Sequence, residues 1–330
     1  MTIAISDNME CLQAWPEPIV RAQFLSESGE RVIPTTYIKP LSERPAAVDD
    51  HGNETKQQVN IPVIDLGSLR GGTGVDRDQA IRMISDACRE WGFFQVVNHG
   101  LSVELVGRAR KVWEDFFQLP LEAKEAYANT PKTYEGYGSR VGVDKGMALD
   151  WGDYFFLILT PRSTRNMEKW PSLPSFRREV IEDYCGEMMK VCGMLMGALS
   201  RGLGLEEGYM VEAFGGEEMG ATLRANYYPK CPQPDLTLGL SAHSDPGSIT
   251  ILLPDDHVNG LQVRKGDSWV TVQAAPNSLV VNVGDQIQFS KMTSNGVDST
   301  KSIHVIVVFP LAQLFYSAFV SIRFTAQLQR

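Results

Sequence analysis

The sequence predicts a mainly β core flanked by α-helices, with the helices concentrated in the N-terminal half. From Leu223 onward, SITILL, LQVR, WVTVQ, SLVVNV, DQIQF and HVIVVF are short runs separated by Gly, Asp, Asn or Pro, the punctuation of successive strands. Upstream, apolar residues recur at helical spacing over several stretches. The second half shows no strand–helix alternation, which argues against a doubly wound dinucleotide fold. The pattern fits a sandwich or barrel with helices packed outside.

In chain order, residues 12–28 read as a short helix interrupted early by Pro16 and Pro18, and Glu43 to Gln58 as a polar loop. PVIDL at 62–66 reads as a strand and GSLRGGTG as the turn after it. Asp76 or Asp78 would cap a helix from near Gln79, with Ile81, Ile84, Ala87 and Cys88 as its apolar stripe. FFQVV is a buried strand ended by NHG, where His99 reads as a turn or cap histidine. The next helix spans about Val103 to Leu119 on Leu105, Val106, Ala109, Val112, Trp113 and Phe116. Tyr134 to Val143 is a Gly/Tyr-rich loop able to line a pocket, and DYFFLIL at 153–159 is a strand. A long helix from Phe176 to about Ser200 carries a stripe including Met188, Met189 and Met196, read as core packing against a sheet.

At 330 residues the chain suits one large domain or two. Without a long internal linker it reads as an N-terminal extension, 1–58, and a single catalytic unit, 59–330. Within that unit, helical support covers about 59–205 and the β core about 206–320. A net charge of -9 argues against a nucleic-acid or anionic-membrane surface. It leaves room for a small anion, which needs only one or two well-placed cations. Cys11, Cys88, Cys185, Cys192 and Cys231 have no framework spacing, and Asp7 and Glu10 do not suit a secretory leader. Free thiols in the cytoplasm, or also the nucleus, are expected, with no membrane partner and no obligate protein partner evident. The apolar run Ile303 to Val320 contains His304, Pro310 and Gln313, so it reads as two buried strands divided by FPLAQ.

The chemistry concentrates between Asn226 and Asp285. His243 and Asp245 are separated by one residue in a strand-rich region, so a regular strand would put both on one face. With His304 arriving from a later strand, they would form the two-histidine, one-carboxylate triad suited to non-haem Fe(II). The bland alternative for His-x-Asp is a hydrogen-bonded pair on a solvated loop. Arg224, Asn226 and Tyr228 share a second strand face, with Tyr227 turned the other way to pack. Arg224 could instead pair with Glu217 or Glu218.

PVIDL, WGFFQVVNHG, NYYPKCPQPDLTLGL, HSDPGSITILLPDD, GLQVRKGDSWVTV and VVNVGDQIQ occur in an order and spacing that resemble the plant 2-oxoglutarate/Fe(II)-dependent dioxygenases. LLPDD, LQAWPEPIVRAQFLSES and DWGDYFF look most like the jasmonate-induced oxygenases, the jasmonic acid hydroxylases. The resemblance implies a double-stranded β-helix, or jelly roll. It implies Fe(II) on His243, Asp245 and His304, with 2-oxoglutarate as cosubstrate at Asn226 and Tyr228 and ascorbate in a supporting role. Arg224 would grip a substrate carboxylate, and Tyr154, Phe155 and Phe156 would offer apolar surface. Asp285 in VGDQ is a family feature whose structural reading is a strand-end turn. The expected activity is hydroxylation of jasmonic acid or a similar small carboxylic acid, with O2, in plant hormone catabolism and defence. The alternatives are flavonoid or other specialised-metabolite oxidation, and an impaired paralogue that only binds.

The chain departs from the family near its end. The usual Lys-Ser-Val-Glu-His-Arg is here KSIHV, and Leu314 and Tyr316 stand where the family has Arg-x-Ser for the distal 2-oxoglutarate carboxylate. FSKMTSNGVDSTKS is longer than the usual connection, and the extended segment over the active-site mouth is expected to be missing after Arg330. Arg323 is the candidate to replace the lost arginine.

Overall fold

The computed structural model describes residues 19–44, 61–130, 133–139, 147–173, 177–255, 258, 260–265, 268–287, 305–307 and 318–325. Among them lie β1 (Val63–Asp65), β2 (Phe93–Val97), β3 (Gly136–Gly138), β4 (Asp153–Thr160), β5 (Gly220–Tyr227) and β6 (Leu240–His243). β7 (Ile249–Leu253), β8 (Leu261–Lys265), β9 (Ser268–Thr271), β10 (Leu279–Val283), β11 (Val305–Val307) and β12 (Ala318–Thr325) follow. The helices are α1 (Ala22–Glu27), α2 (Gly67–Gly71), α3 (Gly74–Glu90), α4 (Val103–Phe117), α5 (Leu121–Glu125), α6 (Arg178–Gly202) and α7 (Tyr209–Ala213).

The strands form two sheets. One has eight strands in the order β1-β2-β10-β7-β12-β5-β4-β3, and the other has four, β6-β11-β8-β9. Only the β1–β2 pair among these described ladders is parallel. β2 is a continuous apolar run because both its faces are covered: Phe94 and Val96 enter the helix-side core, while Phe93 enters the core beneath the smaller sheet. β4 divides its residues the same way, with Phe155, Leu157 and Leu159 buried on the helix side.

The helix-side core is aromatic where α4 meets the large sheet. Phe116 crosses Phe155 at 4.7 Å between ring centroids, Trp113 lies 5.4 Å from Phe155, and Phe117 stacks on Tyr227 at 4.9 Å. Offset and edge-on rings of this kind add about 0.5–1.5 kcal/mol per pair to simple burial. In α6 the stripe Ile181, Tyr184, Met188, Cys192, Leu195, Met196 and Leu199 is buried in the same core, so the methionines pack as expected. Tyr37 meets Trp151 edge-on at 5.1 Å in the second core, which seals residues 33–38 against the smaller sheet.

Several expectations need correction. GSLRGGTG is not a plain turn, since residues 67–71 are helical, and the next helix starts at Gly74 rather than near Gln79. Thr73 is its cap: Oγ1 accepts from the Asp76 amide and donates to the Asp76 carboxylate, a reciprocal pairing that places Asp76 in the first turn. Within Tyr134 to Val143, residues 136–138 form β3 against Tyr154 to Phe156. Gly138 permits this, because a Cβ there would meet the Asn129 amide at 2.5 Å and the Tyr154 ring at 2.7 Å. In DQIQF, residues 285–287 are a helical turn, with the Asp285 and Gln286 amides bonded to Asp245 and Gly247 instead of a partner strand. The early helix is confined to Ala22–Glu27 among the described residues, and most of the loop 43–58 lies outside them. No helix of the described residues is long and apolar enough to cross a membrane. β11 and β12 occupy part of the late apolar run, while FPLAQ lies outside the described residues.

Candidate active site

β5 runs toward the smaller sheet and delivers Arg224, Asn226 and, just past its end, Tyr228 to one cavity of about 210 Å³. Met147, Ala148, Leu149 and Asp150 form another wall, and Gly239, Leu240 and Ser241 bring in β6. The Arg224 guanidinium carbon lies 4.5 Å from the centre of the Tyr154 ring, whose hydroxyl accepts from Asn129 at 2.7 Å. That stacking holds a cation at the cavity wall while leaving its in-plane donors directional. Burial pushes the Tyr154 hydroxyl up to about 12, with Arg224 opposing, and pushes Tyr228 higher still, so both are neutral donors at physiological pH.

β6 carries His243 at its end, so Asp245 lies in the loop beyond it and not on a continuing strand face as its spacing suggested. The His243 Nδ1–H donates to the Ser241 carbonyl at 2.9 Å, which sets the tautomer and turns Nε2 toward Asp245 Oδ1, 3.5 Å away. Asp245 is buried, and its Oδ2 accepts from the Asn282 amide at 2.7 Å. One imidazole nitrogen and one carboxylate oxygen thus face each other across a gap that bonds of about 2.1 Å from each could bridge. The donor set fits a divalent iron. Among the described residues no group of three such ligands is assembled. His304 lies outside them, but its chain neighbour Val305 pairs directly with His243 between β11 and β6.

An ionic cluster around the buried Lys39 braces this strand. Lys39 reaches from the N-terminal segment to the Asp150 carboxylate at 2.7 Å, the Ala148 carbonyl at 2.9 Å and the Ser241 hydroxyl at 2.8 Å. Ser241 in turn donates to Asp150 at 2.6 Å. Three donors of one ammonium are therefore matched to three acceptors, which is what makes a buried cation tolerable. Sequence reading passed over Lys39, Asp150, Ser241 and Asn282. The hint for Lys39 was a lone cation inside the apolar stretch IPTTYIKP, but its partners are far along the chain.

The other expected site residues divide. Arg224, Asn226 and Tyr228 come together, and Tyr227 packs against Phe117 in the helix-side core. Tyr154 lies under Arg224. Phe155 does not offer substrate surface: strand alternation turns it into the core against Trp113 and Phe116. Phe156 is half-buried and sits opposite Arg224 in the β4–β5 ladder. Asp285 is part of a helical turn and accepts from Ser244 Oγ at 3.0 Å. His99 is a buried turn residue: its Nδ1 accepts from the Leu101 amide at 3.2 Å, and its Nε2–H reaches the Asn277 carbonyl at 3.1 Å. Leu314 and Tyr316 lie outside the described residues; the Arg323 backbone pairs with Thr222 and Thr250.

Residues 219–308 match the 2OG-Fe(II) oxygenase superfamily, and residues 61–173 match the N-terminal model described as non-haem dioxygenase in morphine synthesis. Jasmonate-induced oxygenase 3 of Arabidopsis thaliana is 54% identical over 91% of this chain and 82% of its own length. The chain belongs to the 2OG-Fe(II) oxygenase superfamily. Within that family it is also similar to a flavonol synthase/flavanone 3-hydroxylase of Petunia hybrida, 41% identical over 80% of this chain and 73% of that protein. A solved structure described as JOX2 in complex with 2OG, Fe, and JA superposes with a TM-score of 0.83 at 49% identity. It covers 96% of this chain and 86% of that one. The mainly β fold with flanking helices is that of the 2OG-Fe(II) oxygenases.

Proposed function

We propose that this oxygenase hydroxylates jasmonic acid or a similar small carboxylic acid, using 2-oxoglutarate and O2. The observation that carries the reading is Arg224, Asn226 and Tyr228 lining one cavity beside the strand that bears His243. The jasmonate-induced oxygenases named above, and the relative solved with 2OG, Fe and JA, support it. His243, Asp245 and His304 would hold Fe(II), which with cosubstrate and O2 supplies oxidising power for C–H hydroxylation that no side chain provides. Arg224 would take the substrate carboxylate by paired charge-assisted hydrogen bonds. Asn226 and the neutral Tyr228 hydroxyl offer donors to 2-oxoglutarate. Leu149 and Leu240 supply apolar wall for the remainder of the substrate.

We read β5 to β12 as the double-stranded β-helix, four strands in each wall, within one catalytic unit over 59–330 that follows an extension, 1–58. Cys88, Cys185, Cys192 and Cys231 are buried free thiols, which supports a reducing compartment, the cytoplasm or the nucleus.

The test is succinate release from 2-oxoglutarate with Fe(II) and ascorbate, with and without jasmonic acid, alongside detection of a hydroxylated product. Stimulation by jasmonic acid but not by its methyl ester is expected. Arg224→Ala should raise KM for jasmonic acid roughly 10- to 150-fold, the loss of a charged hydrogen bond, with less effect on uncoupled 2-oxoglutarate decay. Equal use of acid and ester, or stimulation by a flavanone instead, would overturn the carboxylate assignment.

A further inference from the structure

The motif VNVGDQ enters the site through Asp245. Asn282 lies on β10 with its side chain buried, and its Nδ2 is 2.7 Å from Asp245 Oδ2. A carboxylate accepts, so the amide nitrogen must face it. The loop between β6 and β7, which holds Asp245, is then tied to residues 284–286 at four further points. The Gly284 amide donates to Ser248 O at 2.7 Å, Asp285 to Asp245 O at 2.8 Å and Gln286 to Gly247 O at 3.1 Å. Ser244 Oγ donates to the Asp285 carboxylate at 3.0 Å. A Cβ on residue 284 would stand 2.2 Å from Gly247 O and 2.8 Å from Asp245 O, so only glycine permits this approach.

We propose that Asn282 is a positioning residue for the metal site, orienting the Asp245 carboxylate, while Gly284 and Asp285 clamp the loop that carries it. This rests on the reading of His243 and Asp245 as metal ligands. A carboxylate has a broad, two-fold terminal torsion, and one hydrogen bond to Oδ2 selects the orientation that turns Oδ1 toward His243 Nε2. The donor is a neutral amide. It aligns the carboxylate without cancelling the negative charge that attracts a cation, which a lysine or arginine at this position would do. Partners behind metal ligands commonly change metal affinity by about 10- to 100-fold when removed.

The test is titration of the metal-free full-length protein with Co(II), followed by calorimetry and by the visible ligand-field spectrum. Asn282→Leu keeps the side-chain shape and removes the donor; it should weaken Co(II) by about 10- to 100-fold and alter the spectrum, with a modest fall in the metal-free melting temperature from the lost hydrogen bond. Ser244→Ala, a milder cut in the same clamp, should weaken Co(II) by a smaller factor and serves if the first variant does not fold. His243→Ala separates the two readings, since it should abolish binding whether or not Asn282 matters. Parent-like Co(II) affinity in both Asn282→Leu and Ser244→Ala, with His243→Ala dead, would overturn the positioning role alone. Parent protein that binds no Co(II) would overturn the metal reading and this inference with it.

Discussion

At the scale of single residues, His99 shows how a backbone turn makes a titrating group part of stability. Burial lowers its pKa from the usual 6.5, against the opposing hydrogen bond to Asn277, and Arg70 lowers it further. The fold therefore holds the neutral ring, whose Nδ1 must stay unprotonated to accept from Leu101. As pH falls through 6.5 toward the lowered folded value, the unfolded chain takes up a proton first, and stability is lost in that window. His99→Asn, which can still accept from Leu101 but does not titrate, should flatten the difference in denaturant midpoint between about pH 7.5 and about pH 5.5. For the metal ligands, His243→Ala and Asp245→Ala should each abolish stoichiometric Fe(II). Iron content unaffected by both would remove the triad, whereas loss with His243→Ala but none with His304→Ala would remove only the third ligand.

At the scale of elements, the segment 33–40 acts as a brace rather than a tail. Its Lys39 amide donates to Leu236, the Leu149 amide donates back to Thr36, and the Lys39 ammonium joins Asp150 and Ser241 beneath β6. Lys39→Met leaves the half-buried Asp150 carboxylate without its cation and should destabilise the protein by about 1–3 kcal/mol. Lys39→Met with Asp150→Asn removes both charges and should recover part of that loss. Urea unfolding of the two variants checks this; equal destabilisation in both would show that packing of the lysine stem, not charge, is what matters. α1 is held comparably: Asp153 accepts from the Ala22 and Gln23 amides at 3.1 Å each and so caps a helix that has no cap of its own.

At the scale of the whole molecule, a chain of net charge -9 presents a cation at its cavity through Arg224. Attraction of an anion is thus local and should be modest in its salt dependence. The family pattern near the C-terminus adds a separate expectation for the cosubstrate. With Leu314 and Tyr316 in place of Arg-x-Ser, the distal carboxylate of 2-oxoglutarate would lose a charged partner. Binding should be weak, and Leu314→Arg with Tyr316→Ser should tighten it roughly tenfold to a thousandfold, the worth of a charged hydrogen bond and of an unpaired buried charge. Anaerobic calorimetry on iron-loaded protein measures this. Tight binding unchanged by the double substitution would point to another cation, with Arg323 on β12 the first to replace.

By itself, the sequence determined the class of the fold, the periodic faces of α4 and α6, and the pairing of Arg224 with Asn226 on one strand face. All of these follow from local periodicity, which a chain carries wherever it folds. Motif order sufficed for the family. Tertiary structure alone decided which strand face meets the cavity, and so sent Phe155 into the aromatic core while Tyr154 went beneath Arg224. It also turned residues 285–287 from strand to helical turn, with the Asp285 and Gln286 amides bonded to the Asp245 loop instead of a neighbouring strand. Lys39 and Asn282 were invisible for the same reason. A buried ammonium or amide is defined by the acceptors around it, and those acceptors, Asp150 and Ser241 for one and Asp245 for the other, reach it only when sheet pairing has closed the loops between them.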